Sequence, residues 1–150
     1  MIGTRVLVAA LSLGFVSVAS TEAAPNPKLN SKYEYTVGDD IAQRMAGVLR
    51  VAAGIEETPL VYYDREKQRV VAELFGSTDK VEEAKRDLGA LVEVIQTEVA
   101  GYAKRHHHVD LTNMDVTLIY YVDSDQGAPE EVVRREDGRF VVPKDDEQER

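Results

Sequence analysis

Residues 79 to 104 repeat apolar side chains at a helical period. Val81, Ala84, Leu88, Leu91, Val92, Ile95, Val99 and Tyr102 fall on one face. Glu83, Lys85, Arg86, Glu93, Gln96 and Glu98 hold the opposite face. A helix of this extent spans roughly 38 Å, and its stripe needs a broad apolar surface to lie on. Asp79 followed by Glu82 predicts a capping box at its start. Gly89 or Gly101 is expected to bend or end it. A chain carrying this element needs a sheet.

The strands are present. Leu60-Val61-Tyr62-Tyr63 and Arg69 to Phe75 flank the polar turn Asp64 to Gln68. Met114 to Val122 is the strongest strand, with Met114, Val116, Leu118, Tyr120 and Val122 on one face. Glu131 to Arg135 and Arg139 to Val142 flank Asp137-Gly138, a pair suited to a type I′ turn. A further helix is expected over 39 to 54, capped by Asp39 or Asp40 and stopped by Gly54, with Ile41, Met45, Val48, Ala52 and Ile55 on its apolar side. The expected class is α+β: an antiparallel sheet of four to five strands with two helices packed on one face, in the order α-β-β-α-β-β-β. In element order, residues 39 to 122 resemble the BON domain, an envelope-associated module of a helix, two strands, a helix and a strand. The resemblance is one of topology, and the chain lacks the Gly-Val step expected there before the last strand.

The first 24 residues read as an address. Arg5 precedes the apolar run Val6 to Ala19, and Ser20 to Pro27 turns abruptly small and polar. That pattern predicts a secretory signal peptide over 1–24, since the run falls short of the roughly 20 residues that span a bilayer. An extended lead-in over 25–38, a single domain over 39–143 and an acidic, solvated tail over 144–150 complete the expected organisation. The chain has no cysteine, so neither disulfides nor a lipoprotein anchor are available to it. A periplasmic or secreted bacterial envelope protein, without stable membrane insertion after cleavage, is the expectation.

A net charge of −9 disfavours nucleic acids and anionic lipid, which are held by clustered Lys and Arg. The expected partner is an envelope protein or a second copy of the chain. An acidic inhibitor of a basic envelope enzyme also fits the charge.

Chemistry is sparse. His106, His107 and His108 are the candidate metal ligands, and no other histidine occurs. Three in a row diverge on a helix or a strand, so they also read as cations at a helix C-terminus. Asp123, Asp125, Gln126 and Gly127 faintly match a calcium loop but lack its terminal Glu. Ser31, Ser77 and Ser124 sit in no nucleophile elbow, and Ser77 reads as a helix cap. No catalytic constellation and no cofactor are expected.

Tyrosines cluster on the strands instead. In each Tyr-Tyr pair one ring faces the helices and the other faces away. Tyr63 and Tyr121 are expected on the outer face with Val61, Phe75 and Ile119, and Tyr63, Phe75, Ile119 and Tyr121 are the candidate partner-binding residues. The leading reading is an exported, non-catalytic binding domain that uses this aromatic face. The alternatives are a metal- or small-ligand-binding protein using the His106–His108 run, and the acidic inhibitor.

Overall fold

The computed structural model describes residues 26–29, 35–52, 58–125 and 127–143. The expected signal peptide, the acidic tail, Gly54 and Gln126 lie outside the described residues. Among those described, no helix is long and apolar enough to cross a membrane.

The first helix, α1 (Val37–Ala52), starts two residues earlier than its acidic pair suggests. Thr36 is its cap. The Thr36 hydroxyl accepts the N–H of Asp39 at 3.2 Å, while Asp39 Oδ2 accepts the N–H and the hydroxyl of Thr36, both at 2.7 Å. This reciprocal pair is a capping box with Asp at its third position. Ahead of it, residues 26–29 form a turn, not the extended lead-in expected. Leu29 is fully buried, and its carbonyl accepts the Gly38 N–H at 3.2 Å.

Five strands follow the chain in space: β1 (Leu60–Asp64), β2 (Arg69–Gly76), β3 (Val116–Val122), β4 (Glu130–Glu136) and β5 (Arg139–Val141). The class is α+β in the expected order, but the sheet is mixed. β1/β2, β3/β4 and β4/β5 are antiparallel, whereas β2 and β3 run parallel from Val70 opposite Val116 to Gly76 opposite Val122. The reason is the connection. A helix laid across one face returns the chain to the end where β2 began, and a crossover of that kind makes parallel neighbours. Asp137 and Gly138 both have positive φ, 51° and 75°, as a type I′ turn requires. A bulge at Tyr120/Tyr121 lets the consecutive Val132 and Val133 both be buried.

The long helix runs as α2 (Val81–Val94), a π-helical segment (Ile95–Val99) and α3 (Ala100–His107) without a break. Its irregularity falls at neither glycine. Asp79 does not cap it either: Lys80 occupies the cap position without a side-chain bond to the helix's free N–H groups, and the Thr78 hydroxyl accepts the Lys80 N–H at 3.2 Å and donates to Glu83 at 2.9 Å. Ser77 is exposed.

The π turn adds one residue, which rotates every later side chain by about 100° relative to a straight α-helix. Ala103 is therefore fully buried in place of Tyr102, which swings to the side of the helix at half-burial. Within the turn, the Thr97 hydroxyl donates to the Glu93 carbonyl at 2.9 Å, a back-bond of the kind that accompanies distorted helices. Both helical bodies lie on one side of the sheet. Ile41, Met45 and Leu49 from α1 and Leu88, Ile95 and Val99 from the long helix meet Tyr63, Val70, Leu74, Leu118 and Val133 there.

Candidate functional site

Strand alternation sends the remaining residues to the other face of the sheet. Register places Leu60 and Tyr62 of β1 beside Glu73 and Val71 of β2. These lie in turn beside Ile119 and Thr117 of β3, with Phe75 beside Tyr121 and Arg134 of β4 beside Ile119. Among the described residues no helix packs on this face.

Three of the four candidate partner-binding residues come together here. The Phe75 and Tyr121 rings stack, with centroids 5.6 Å apart and planes 21° from parallel, in the offset range that aromatic pairs favour. Ile119 lies two residues before Tyr121 on the same face and is only 8% exposed. Tyr63 is the correction. Its side chain points to the helices, 7% exposed, with its ring against Gly38, and Val61 packs on the same core. Tyr62 takes the outer position, 41% exposed. Leu-Val-Tyr-Tyr is apolar at every position, so alternation alone offered no parity to read.

The charges on this face are paired in part within it. Arg134 grips Glu131 through Nε and Nη2, both at 2.6 Å, and Glu136 lies 4.0 Å from its Nη1. Arg69 Nη1 reaches Glu136 Oε1 at 3.1 Å and Asp137 Oδ1 at 3.0 Å. The Tyr62 hydroxyl donates to Glu73 at 3.2 Å. Burial, and then the carboxylates of Glu73 and Glu131, raise the Tyr121 phenol above its ordinary value. The hydrogen bond to Glu131 raises the Arg134 guanidinium likewise. Among the described residues, two arginines here meet Glu131, Glu136 and Asp137, Glu73 is met by a hydroxyl alone, and Arg69 Nε is buried without a hydrogen-bond partner.

The histidine run ends α3 and does not converge. His107 Nε2 lies 2.6 Å from Asp40 Oδ2, which also accepts the Tyr102 hydroxyl at 2.7 Å. His106 turns its ring toward Tyr102, centroids 4.5 Å apart. His108 closes the helix in a left-handed conformation, φ 55°, and its carbonyl accepts Lys28 Nζ at 2.9 Å. Among the described residues no group of three His, Asp or Glu side chains is disposed to hold a metal ion. The run shares the last turn of α3 with Lys104 and Arg105, whose positive charges suit the carbonyl end of a helix. The Asp40 cluster was not legible beforehand, because it needs the π rotation that brings Tyr102 and His107 to α1.

Asp123 and Asp125 line a cleft of about 520 Å³ with Ser77, Asp79, Val122, Ser124 and Glu130. It lies beyond the carboxyl ends of the parallel pair β2 and β3, where α/β sheets commonly receive ligands. Its lining supplies acceptors and carboxylates but no histidine or cationic side chain.

The fold and the outer face together define a small α+β domain with a mixed five-stranded sheet and one side left to aromatic and paired charged residues. No family model, no curated protein and no solved structure matches the chain, so the likeness to the BON domain is one of element order alone.

Proposed function

We propose that this chain is an exported, non-catalytic interaction domain of the bacterial cell envelope. It engages a protein through the sheet face built on Phe75, Ile119 and Tyr121. The observation that carries the reading is the Phe75–Tyr121 stack, set on a face that no described helix covers, beside the Arg134–Glu131 and Arg69–Glu136 pairs. Aromatic anchors inside a polar surround are the make-up of a protein interface. The export half of the proposal is supported by the composition of residues 1–24.

The test is capture of the tagged protein from its own envelope extract, beside a variant carrying Phe75→Ser and Tyr121→Ser. A protein retained by the wild type and lost by the variant supports the reading. Equal capture by both contradicts it. The acidic-inhibitor reading, which would use the carboxylate cleft around Asp79, Asp123, Asp125 and Glu130, predicts instead a basic protein that is released by salt.

A further inference from the structure

We infer that the outer edge of β1 is a strand-addition site, and that its occupant is an extended, basic segment of another protein, paired with Leu60–Asp64 as a further strand of the sheet. The inference concerns a different surface from the Phe75–Tyr121 face and stands without it.

Backbone chemistry makes the argument. β1 ends the sheet on one side, and β2 takes the backbone groups of one of its edges. Along the other edge, the N–H and C=O groups of alternate residues point away from the sheet. Among the described residues no backbone group outside the sheet bonds to Leu60–Asp64. A row of directional donors and acceptors is matched by another extended backbone. Proteins usually blunt such an edge with lysine, proline, a bulge or mere shortness. The opposite edge follows that rule: β5 has three residues, opens on Arg139 and is followed two residues on by Pro143. β1 does not. It has five residues, pairs in unbroken register, and runs Leu-Val-Tyr-Tyr without lysine, proline or glycine. Leu60 and Tyr62 stand 53% and 41% exposed on its outer side, placed to meet alternate side chains of an added strand.

Size and charge select the occupant. Five residues make an edge of roughly 17 Å, which is little surface to hold two folded bodies together. Two copies of this chain, each at −9, would also repel. An extended segment needs only that length, because backbone bonds supply its affinity and alternate side chains its specificity. The turn after β1 holds both signs, with Arg65 and Lys67 beside Glu66, and Arg65 is engaged by Asp39 at 3.3 Å. Glu73 is different. It sits beside Leu60 in the register and, among the described residues, is met by the Tyr62 hydroxyl alone. Lysine or arginine in the added strand answers that carboxylate and the acidic body behind it, whereas glutamate meets like charge.

The test is titration of the purified protein with a labelled peptide of alternating lysine and valine, read by fluorescence anisotropy. Two controls go beside it: the same peptide N-methylated throughout its backbone, and a glutamate–valine counterpart. The expected result is saturable binding of the lysine peptide, weakened at least about tenfold in both controls, with slowed hydrogen exchange at alternate amides of β1. Adjacent residues send their N–H groups to opposite edges, so one of Val61→Pro and Tyr62→Pro spares the β2 ladder. The variant that keeps cooperative unfolding should bind the peptide about tenfold more weakly or worse. If neither folds, hydrogen exchange in the wild type decides. Phe75→Ser/Tyr121→Ser should leave the titration unchanged; loss of binding there would move the peptide to the sheet face and overturn the inference. Equal binding of the N-methylated peptide overturns it too, as does no binding up to about 1 mM. A dimer seen by sedimentation and abolished by the folded proline variant would put a second copy on the edge, and would also overturn it.

Discussion

One carboxylate oxygen of Asp40 joins the two helical bodies: its Oδ2 receives Tyr102 at 2.7 Å and lies 2.6 Å from His107 Nε2. Asp40 stands in the first turn of α1, the helix end that favours its negative charge, and His107 in the last turn of α3. Burial alone would raise the Asp40 carboxyl, but the hydrogen bonds from Tyr102 and His107 outweigh it and hold the group below its ordinary value.

A depressed carboxyl contributes stability above its unfolded-state pKa and loses it as the pH falls through the folded value. Asp40→Asn should therefore cost about 1 kcal/mol at neutral pH, the scale of a partly exposed charged hydrogen bond. The gap between wild type and variant should close below about pH 4, where Asp begins to protonate in the unfolded chain. Urea unfolding across a pH series measures this. A gap that persists unchanged to pH 2 would contradict the cluster's role.

Two glycines in helices should respond to alanine with opposite signs. Beyond its own stretch of helix, Gly89 has nothing within 4 Å of where a Cβ would go, so Gly89→Ala should stabilise by roughly 0.5–1 kcal/mol through helix propensity alone. At Gly38 the added carbon would fall 2.5 Å from the Tyr63 ring. Gly38→Ala should destabilise by about 1–3 kcal/mol despite the same propensity gain. Thermal or urea unfolding of both variants checks the sign, and stabilisation at Gly38 would mean that the Tyr63 ring is free to move.

The adjacent tyrosines of β1 should behave differently from each other. Tyr63 is buried among core residues, so Tyr63→Ser should cost about 3–5 kcal/mol, the range for truncating a core aromatic. Tyr62, exposed on an edge strand, should lose less than about 1 kcal/mol on the same change. Equal losses would place both rings in the core.

Metal ions provide a further check. Because His106, His107 and His108 point to different surroundings, stoichiometric Zn²⁺ should leave the melting temperature of the wild type unchanged. A rise that disappears when the three histidines become alanine would restore the run as a metal site, since a ligand that binds only the folded state must raise its stability.

The order of elements was legible because apolar periodicity is strong in both helices and in β2 and β3, and because turn residues set off β1, β4 and β5. Several features were not read correctly, each for its own reason. The parallel pairing of β2 and β3 left no mark in either strand, but the helix between them implied it. Asp39 and Asp40 drew the start of α1 to themselves, whereas the Thr36-x-x-Asp39 spacing held the actual cap. Tyr102 belonged to the apolar stripe of an ideal helix, and only the π turn at Ile95–Val99 moves it off the core. At the candidate face, Phe75, Ile119 and Tyr121 followed from alternation once their strands were neighbours. Tyr62 and Tyr63 did not, because a strand apolar at every position has no readable inside.

Site-specific photocrosslinking in the living cell tests the central claim most directly. A benzophenone side chain would be installed in turn at Phe75, at Tyr121 and, for comparison, at Glu98 on the exposed side of the long helix. The account predicts a discrete covalent adduct from positions 75 and 121 and none from 98, of twice the chain's mass if the partner is a second copy. No adduct from either sheet position in a folded, exported protein would contradict the claim that this face is an interaction surface.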